Sequence, residues 1–146
     1  MTKLPQETPK LTDSPSMTHK PDDSSYELAL TIARTADDRK AGDIMVLAVA
    51  DVCYLADYFV IVTGFSRVQV RAICQAIEDK VEEELQRHPL RTEGQEQGTW
   101  IIQDYGDVIF HIMMPKEREF YNLEAFWGHA ERIKFTTTQT LGVTSA

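Results

Sequence analysis

The sequence has little cysteine and no long apolar run. Its two cysteines, Cys53 and Cys74, lie in or beside apolar stretches, and neither has a histidine or cysteine partner at metal-ligand spacing. We therefore expect buried free thiols in a reducing compartment rather than a zinc or redox site. No segment approaches the about 18 consecutive apolar residues that a membrane-spanning helix requires. We expect a soluble protein whose default location is the cytoplasm.

Positive charge is also scarce. The chain of 146 residues has 15 Lys and Arg against 23 Asp and Glu, which gives a formal net charge of -8. Such a surface repels a phosphate backbone and disfavours direct, sequence-specific nucleic-acid binding. An acidic protein suits a basic protein partner, and ribosomes and other nucleoprotein machines are rich in such partners.

Proline is concentrated at one end of the chain. The first 25 residues contain four of the six prolines, with scattered Ser, Thr and Lys. This composition predicts a disordered extension over residues 1–25. The segment has no arginine, which disfavours an organelle transit peptide, and no apolar core for a secretory signal. Residues 26–134 predict a single domain, and residues 135–146 predict a flexible C-terminal tail.

The apolar pattern predicts an α/β (α+β) domain, with helices packed on a mixed sheet of about five strands. Ser24 with Glu27, and Ser66 with Gln69, fit capping boxes that open two helices. Residues 57–63 are apolar on both faces, as in a central strand that is covered on both sides. The other predicted elements are a strand at residues 43–50, a short extended piece near residue 90, two strands on either side of residues 104–107, and a helix within residues 120–133.

A tight hairpin turn is predicted within residues 104–107, because a glycine there interrupts two apolar runs. If the loop has two residues, either Tyr105-Gly106 or Gly106-Asp107, alternation assigns the side chains to two faces. The more apolar face, which we assign to the core, carries Ile101, Gln103, Tyr105, Val108, Phe110 and Ile112. The other face carries Trp100, Ile102, Asp104, Ile109, His111 and Met113. We expect Trp100, Asp104 and His111 to lie toward a partner or a covering helix.

Four segments of the chain are unusual strings. They are residues 56–70 (ADYFVIVTGFSRVQV), the pair Glu93-Gly94, residues 100–111 (WIIQDYGDVIFH) and residues 118–127 (REFYNLEAFW). In this order and at this spacing, they resemble the ribosomal silencing factor family, also called the Iojap family. The resemblance runs from about residue 26 to residue 133.

The resemblance implies a regulatory binding protein rather than an enzyme, with no cofactor or metal. It implies that the chain binds large-subunit ribosomal protein fourteen on the face where the small subunit docks. Binding there blocks association of the subunits and represses translation when nutrients are limiting. The resemblance also implies a nucleotidyltransferase-like fold without the catalytic carboxylates, and a homodimer when the protein is free.

The resemblance also implies which residues contact the partner. The partner-contacting tryptophan of the family matches Trp100, and the neighbouring acidic position matches Asp104; Tyr105 and Asp107 complete the predicted partner-binding set. A large aromatic side chain can anchor an interface, and a carboxylate can pair with Lys or Arg on a basic ribosomal protein. Trp100 is instead a core residue if a longer loop exchanges the two hairpin faces.

Two other functions are alternatives. Residues 63–66 (TGFS), between a strand and a helix, look like the Gly-Ser turn that holds phosphates in nucleotidyltransferases, and a helix N-terminus there can bind an anion. Such an enzyme also requires clustered carboxylates for Mg²⁺, and no D-x-D motif on a strand follows the turn. We therefore interpret Gly64 as a turn residue and Ser66 as an N-cap. A dimerisation module for some other partner is the third hypothesis.

Overall fold

The computed structural model describes residues 23–135, which contain four helices and six strands. In chain order these are α1 (Asp23–Asp38), β1 (Gly42–Ala48), β2 (Tyr58–Thr63), α2 (Arg67–Leu85), β3 (Arg91–Glu93), β4 (Trp100–Asp104), β5 (Val108–Met113), α3 (Pro115–Tyr121), α4 (Leu123–Phe126) and β6 (Glu131–Ile133). The predicted extension and tail lie outside the described residues, except for residues 23–25 and 135.

The strands form one mixed sheet in the order β3-β4-β5-β2-β1-β6. β2 and β5 are parallel, and each other neighbouring pair is antiparallel. All six residues of β2 are buried, because their side chains alternate between the two apolar clusters on either side of the sheet. The prediction of a central strand at residues 57–63 is confirmed, as is the predicted fold class, although the described sheet has six strands rather than five.

The hairpin of β4 and β5 has a two-residue loop, Gly106-Asp107. The Tyr105 N–H donates a hydrogen bond to the Val108 carbonyl at 2.9 Å, and Gly106 has a φ of 95°, which favours glycine. The sequence left two loops open, Tyr105-Gly106 and Gly106-Asp107, and the structure has the second. The register assigns every side chain of the two strands to the face predicted for it.

Two apolar clusters lie on opposite faces of the sheet. On the inner face, α1 and α2 pack against the hairpin side chains that were assigned to the core, including Ile101 and Phe110. On the outer face, α4 and the β1–β2 connection pack against Phe59 and Ile61. These covering elements are short, so Ile102, on the outer face of the hairpin, stays partly exposed to solvent.

The two predicted capping boxes have different outcomes. Ser66 is the N-cap of α2, and its Oγ accepts a hydrogen bond from the Gln69 N–H at 3.0 Å, as predicted. The prediction for Ser24 is wrong, because α1 begins at Asp23 and Ser24 lies inside the helix. An N-cap residue has a non-helical backbone, so a residue within the helix cannot be one.

The predicted last helix within residues 120–133 is confirmed only as the short helix α4. Asn122 has a φ of 48°, a left-handed conformation that separates α3 from α4. Glu131–Ile133 then forms β6, which pairs with β1 at the edge of the sheet. Periodicity misses both features, because a helix of four residues and a strand of three are too short to repeat a pattern.

The two cysteines agree with the prediction of buried free thiols. Burial, with a smaller effect of Glu78, raises the pKa of the Cys74 thiol to about 12, so this thiol stays protonated near neutral pH. Among residues 23–135, no helix combines the length and the apolar composition needed to cross a membrane.

Gly94 and Gly106 offer a matched test of the turns beside β4. Their φ angles are 90° and 95°, so alanine at either position costs about 1–3 kcal/mol of the free energy of unfolding through backbone strain. A Cβ on Gly94 would also overlap the carbonyl oxygen of Trp100, whereas one on Gly106 meets only the Leu90 side chain, at 3.2 Å. We expect Gly94→Ala to lower the midpoint of urea unfolding more than Gly106→Ala. Equal midpoints would contradict the close approach of Gly94 to β4.

Candidate functional site

Aromatic rings form a continuous chain across the outer face of the sheet. We call it the aromatic belt; in order of contact its rings belong to Phe120, Tyr121, Trp100, His111, Phe59, Trp127 and Phe126. Neighbouring ring centroids are 4.8 to 6.0 Å apart, in tilted or edge-to-face geometry. The middle of the belt is buried, but its ends, Phe120 and Phe126, are 77% and 74% exposed. A row of rings that is buried in the middle and exposed at both ends suits a protein interface.

A groove with a volume of about 340 Å³ opens beside the belt, and we call it the open-face groove. Its floor and walls are formed by the side chains of Phe59, Ile102, Ile109, His111, Leu123 and Trp127. Its rim is charged and carries Arg91, Glu93 and Asp104. The groove exists because α4 has only four residues and covers only part of the outer face.

Trp100 connects the belt to the hairpin. Its side chain is half-buried, its Nε1–H donates a hydrogen bond to His111 Nδ1 at 3.1 Å, and its ring centroid is 4.8 Å from that of Tyr121. The observed register therefore places Trp100 on the outer face rather than in the inner core. An aromatic side chain that is already held in one orientation loses little entropy when it binds.

His111 keeps the centre of the belt uncharged. The residue is 8% exposed, and burial lowers the pKa of its imidazole to about 4. The ring is therefore neutral near pH 7, and it is satisfied at Nδ1 by Trp100. Charge on the outer face of the hairpin is confined to the rim of the groove.

Asp104 lies on that rim. Its Oδ1 accepts a hydrogen bond from the Gly106 N–H at 2.8 Å, and its Oδ2 pairs with Arg91 at 3.2 Å. Arg91 also lies 3.8 Å from a carboxylate oxygen of Glu93, so two carboxylates share one guanidinium. Exposed pairs of this kind contribute about 1 kcal/mol or less to stability, so a cation from a partner can replace Arg91 at little cost.

The other two residues of the predicted partner-binding set lie elsewhere. Tyr105 is 2% exposed in the inner core, so its ring offers no surface to a partner. Asp107, in the hairpin loop, accepts hydrogen bonds from Arg87 at 2.8 and 3.0 Å and from the Ser25 hydroxyl at 2.7 Å. These bonds connect the loop to α1 and to the segment after α2. A partner role for Asp107 stays a prediction.

Arg118 is a buried residue of the site that the sequence pattern does not reveal. Its Nη1 donates a hydrogen bond to the Thr63 hydroxyl at 2.9 Å, and its Nε donates to a Glu124 carboxylate oxygen at 3.0 Å. These bonds hold α3 and α4, which carry the two ends of the belt, against the end of β2. Arg118 and Glu124 are six residues apart, which is not the spacing of a helical pair, so periodicity gives no signal for them.

The turn at Gly64 and Ser66 has the structural role that the sequence predicts. The Ser66 Oγ accepts from the Gln69 N–H, while Gln69 Oε1 accepts from the Phe65 N–H at 2.7 Å. A Cβ on Gly64 would lie 2.6 Å from a methyl group of Val70, so glycine permits close packing there. Within residues 23–135, no three His, Cys, Asp or Glu side chains are grouped so that they could hold a metal ion.

Comparisons of the sequence with known proteins agree on one family. Residues 22–145 match the family model described as ribosomal silencing factor during starvation. The ribosomal silencing factor RsfS of Halalkalibacterium halodurans is 37% identical over 111 residues, which are 76% of this chain and 94% of that protein. The chloroplastic protein Iojap of Arabidopsis thaliana is 38% identical over 125 residues, which are 84% of this chain. The chain spans about half the length of that protein and of its Zea mays counterpart, 52% and 53%.

Solved structures share the fold. The crystal structure of a Chromobacterium violaceum protein, 28% identical, matches with a TM-score of 0.67 over 84% of this chain and 99% of that one. A crystal structure from Bacillus halodurans, 32% identical, matches with a TM-score of 0.63 over 78% of this chain and all of that one. The α+β fold class predicted from the sequence is thus found in relatives as well.

Asp107 should make the stability of the fold depend on pH. Burial alone would raise the pKa of its carboxyl, but hydrogen bonds from Arg87 and Ser25 outweigh burial and hold the pKa below its ordinary value of 3.8. Such a carboxylate stabilises the fold above its unfolded pKa, and this contribution is lost as the pH falls through the lower folded pKa. We expect Asp107→Asn to reduce the free energy of unfolding by about 1–3 kcal/mol at neutral pH, and by less in acid.

Urea unfolding of wild type and of Asp107→Asn, from neutral pH into acid, measures the difference between their free energies of unfolding. Asp104→Asn is the control, because the Arg91 partner of Asp104 has a side chain that is 66% exposed, and we expect a smaller effect there. A difference between wild type and Asp107→Asn that stays constant into acid would contradict the ion-pair explanation.

Proposed function

The chain belongs to the ribosomal silencing factor family, and on this premise we propose that it binds the large ribosomal subunit and represses translation when nutrients are limiting. The proposed contact is large-subunit ribosomal protein fourteen. The proposed effect is to block an intersubunit bridge, so that the small and large subunits do not associate. We propose a regulatory binding protein rather than an enzyme.

The observation that carries the proposal is the part of the outer face of the sheet that α4 leaves uncovered. It combines the exposed ends of the aromatic belt, the half-buried Trp100 and an apolar groove with two carboxylates and one guanidinium on its rim. A face with aromatic anchors at its centre and charge at its edge has the composition of a protein interface. The acidic chain, with a net charge of -8, supports a basic protein as the partner.

The proposal extends to the free protein. Aromatic side chains as exposed as Phe120 and Phe126 favour self-association when no partner covers them, and we propose a homodimer in that state. Sedimentation velocity measures the mass of the free protein, and a monomer at every concentration would contradict the proposed homodimer.

The cytoplasmic location stays a prediction, because the relatives include bacterial proteins and proteins named as chloroplastic and mitochondrial.

Trp100→Ala tests the proposed face most simply. We expect its affinity for isolated large ribosomal subunits to fall by about thirtyfold or more, because a central aromatic anchor contributes about 2–4 kcal/mol. Co-sedimentation of the purified chain with large and with small subunits measures binding and selectivity.

The control is Val68→Ala, since Val68 is 77% exposed on α2, on the opposite side of the sheet. It should bind as wild type does. Circular dichroism shows whether each variant is folded, and undiminished binding by folded Trp100→Ala would contradict the proposed face. If the wild-type chain binds neither subunit, that result contradicts the proposed function.

Two substitutions of Asp104 separate charge from shape. Asp104→Asn removes the charge but keeps an oxygen that can accept from the Gly106 N–H, whereas Asp104→Lys reverses the charge. We expect Asp104→Lys to bind large subunits more weakly than Asp104→Asn, and the difference to shrink at high salt. Glu83→Lys makes the same change of net charge on α2, at a side chain that is 72% exposed, and should have little effect. A difference that does not depend on salt would indicate a steric cause.

A further inference from the structure

The open-face groove contains a hydrogen-bond donor that the described residues leave unused. Indole nitrogen can only donate, so the bond from Trp100 Nε1 at 3.1 Å requires His111 Nδ1 to be the acceptor. A neutral imidazole that accepts at Nδ1 carries its proton on Nε2. Within residues 23–135, no group accepts a hydrogen bond from this Nε2–H. His111 is 8% exposed and lines the groove, so this donor is available to a partner that fills the groove.

The surroundings of this donor indicate which acceptor it suits. The imidazole stays neutral near pH 7, because burial lowers its pKa to about 4. The rim carries Glu93 and Asp104, and their shared counter-ion Arg91 does not balance both charges. An incoming carboxylate would therefore be repelled, whereas an uncharged carbonyl oxygen would not.

The rest of the groove is apolar and small. Ile102, Ile109, Leu123 and Trp127 line it together with His111, and the volume of about 340 Å³ is at the lower end of the range for ligand sites, about 300–1,000 Å³. This space suits one large side chain with its adjacent peptide group and not a whole helix. Once it is filled, water no longer reaches His111 Nε2, so an unpaired donor there would weaken binding.

We propose that the open-face groove holds one apolar side chain of a basic protein partner, and that His111 Nε2–H donates a hydrogen bond to the backbone carbonyl beside it. The inference rests on the proposed function for the identity of the partner. It adds His111 as a residue that determines specificity and gives the acidic rim a role, since Asp104 and Glu93 face the basic residues that flank the bound segment.

His111→Gln and His111→Asn form a matched pair for testing this donor. The longer glutamine side chain brings an amide N–H near the position of Nε2, whereas asparagine ends near the position of Nδ1 and does not reach the groove. We expect His111→Asn to bind isolated large ribosomal subunits about 3- to 10-fold more weakly than wild type, the loss typical of one neutral hydrogen bond. His111→Gln should bind more tightly than His111→Asn. Urea unfolding midpoints show that both variants are folded under the assay conditions.

The outcomes distinguish this inference from the proposed function. Wild-type affinity in His111→Asn, or an equal loss in both variants, overturns the donor role, while binding that is lost in Trp100→Ala still supports the proposed function. If wild type does not bind large subunits, the proposed function fails and the inference fails with it.

Heteronuclear NMR of the histidine side chains tests the donor without a partner. In the free chain at neutral pH, we expect the His111 proton on Nε2 and an unprotonated Nδ1 whose resonance changes in Trp100→Phe. The His111→Gln spectrum identifies the His111 signals by their absence. A proton on Nδ1 would overturn the proposal.

Discussion

The register of the β4–β5 hairpin is the constraint on which the candidate site depends. The bond from the Tyr105 N–H to the Val108 carbonyl closes a two-residue loop, and this loop determines which side chains of the two strands share a face. A slip of β4 by one residue against β5 would turn Trp100 and Asp104 toward the inner core and would move Tyr105 out of it. The packing of α1 and α2 against the inner face prevents such a slip, because Tyr105 and Phe110 are buried there. The core under one face therefore maintains the candidate binding surface on the other.

The two faces of the sheet differ in how well they are covered by other elements. This difference leaves part of the outer face, with the candidate site, open to solvent. α1 and α2, of 16 and 19 residues, cover the inner face, whereas α4 has only four. The outer face is held in place by ring contacts in the belt and by the hydrogen bonds of Arg118. Its apolar centre is neutral and its charges lie on the rim. A partly covered face with this composition is suited to contact with another protein.

Local signals predict part of this structure. Alternation gives the hairpin faces, two-sided apolarity gives β2, and the Ser66 capping box gives the start of α2, because each signal acts within a few residues. The belt could not be predicted in this way, since Phe59 and Trp127 meet only through tertiary packing. Tyr105 shows how two lines of reasoning can conflict. Alternation assigns Tyr105 to the core, whereas the family resemblance assigns it to the partner-binding set. Its exposure of 2% agrees with alternation. A residue shared by a family can hold the binding strand in register without touching the partner.

The central claim is that the chain binds the large ribosomal subunit through the outer face of its sheet. Hydroxyl-radical footprinting, read by mass spectrometry, tests it most directly by comparing the free chain with the chain bound to isolated large subunits. The account predicts that binding reduces oxidation of Trp100, Phe120 and Phe126, and leaves oxidation of Val68 on α2 unchanged. Protection of Val68 with an unchanged aromatic belt would contradict it.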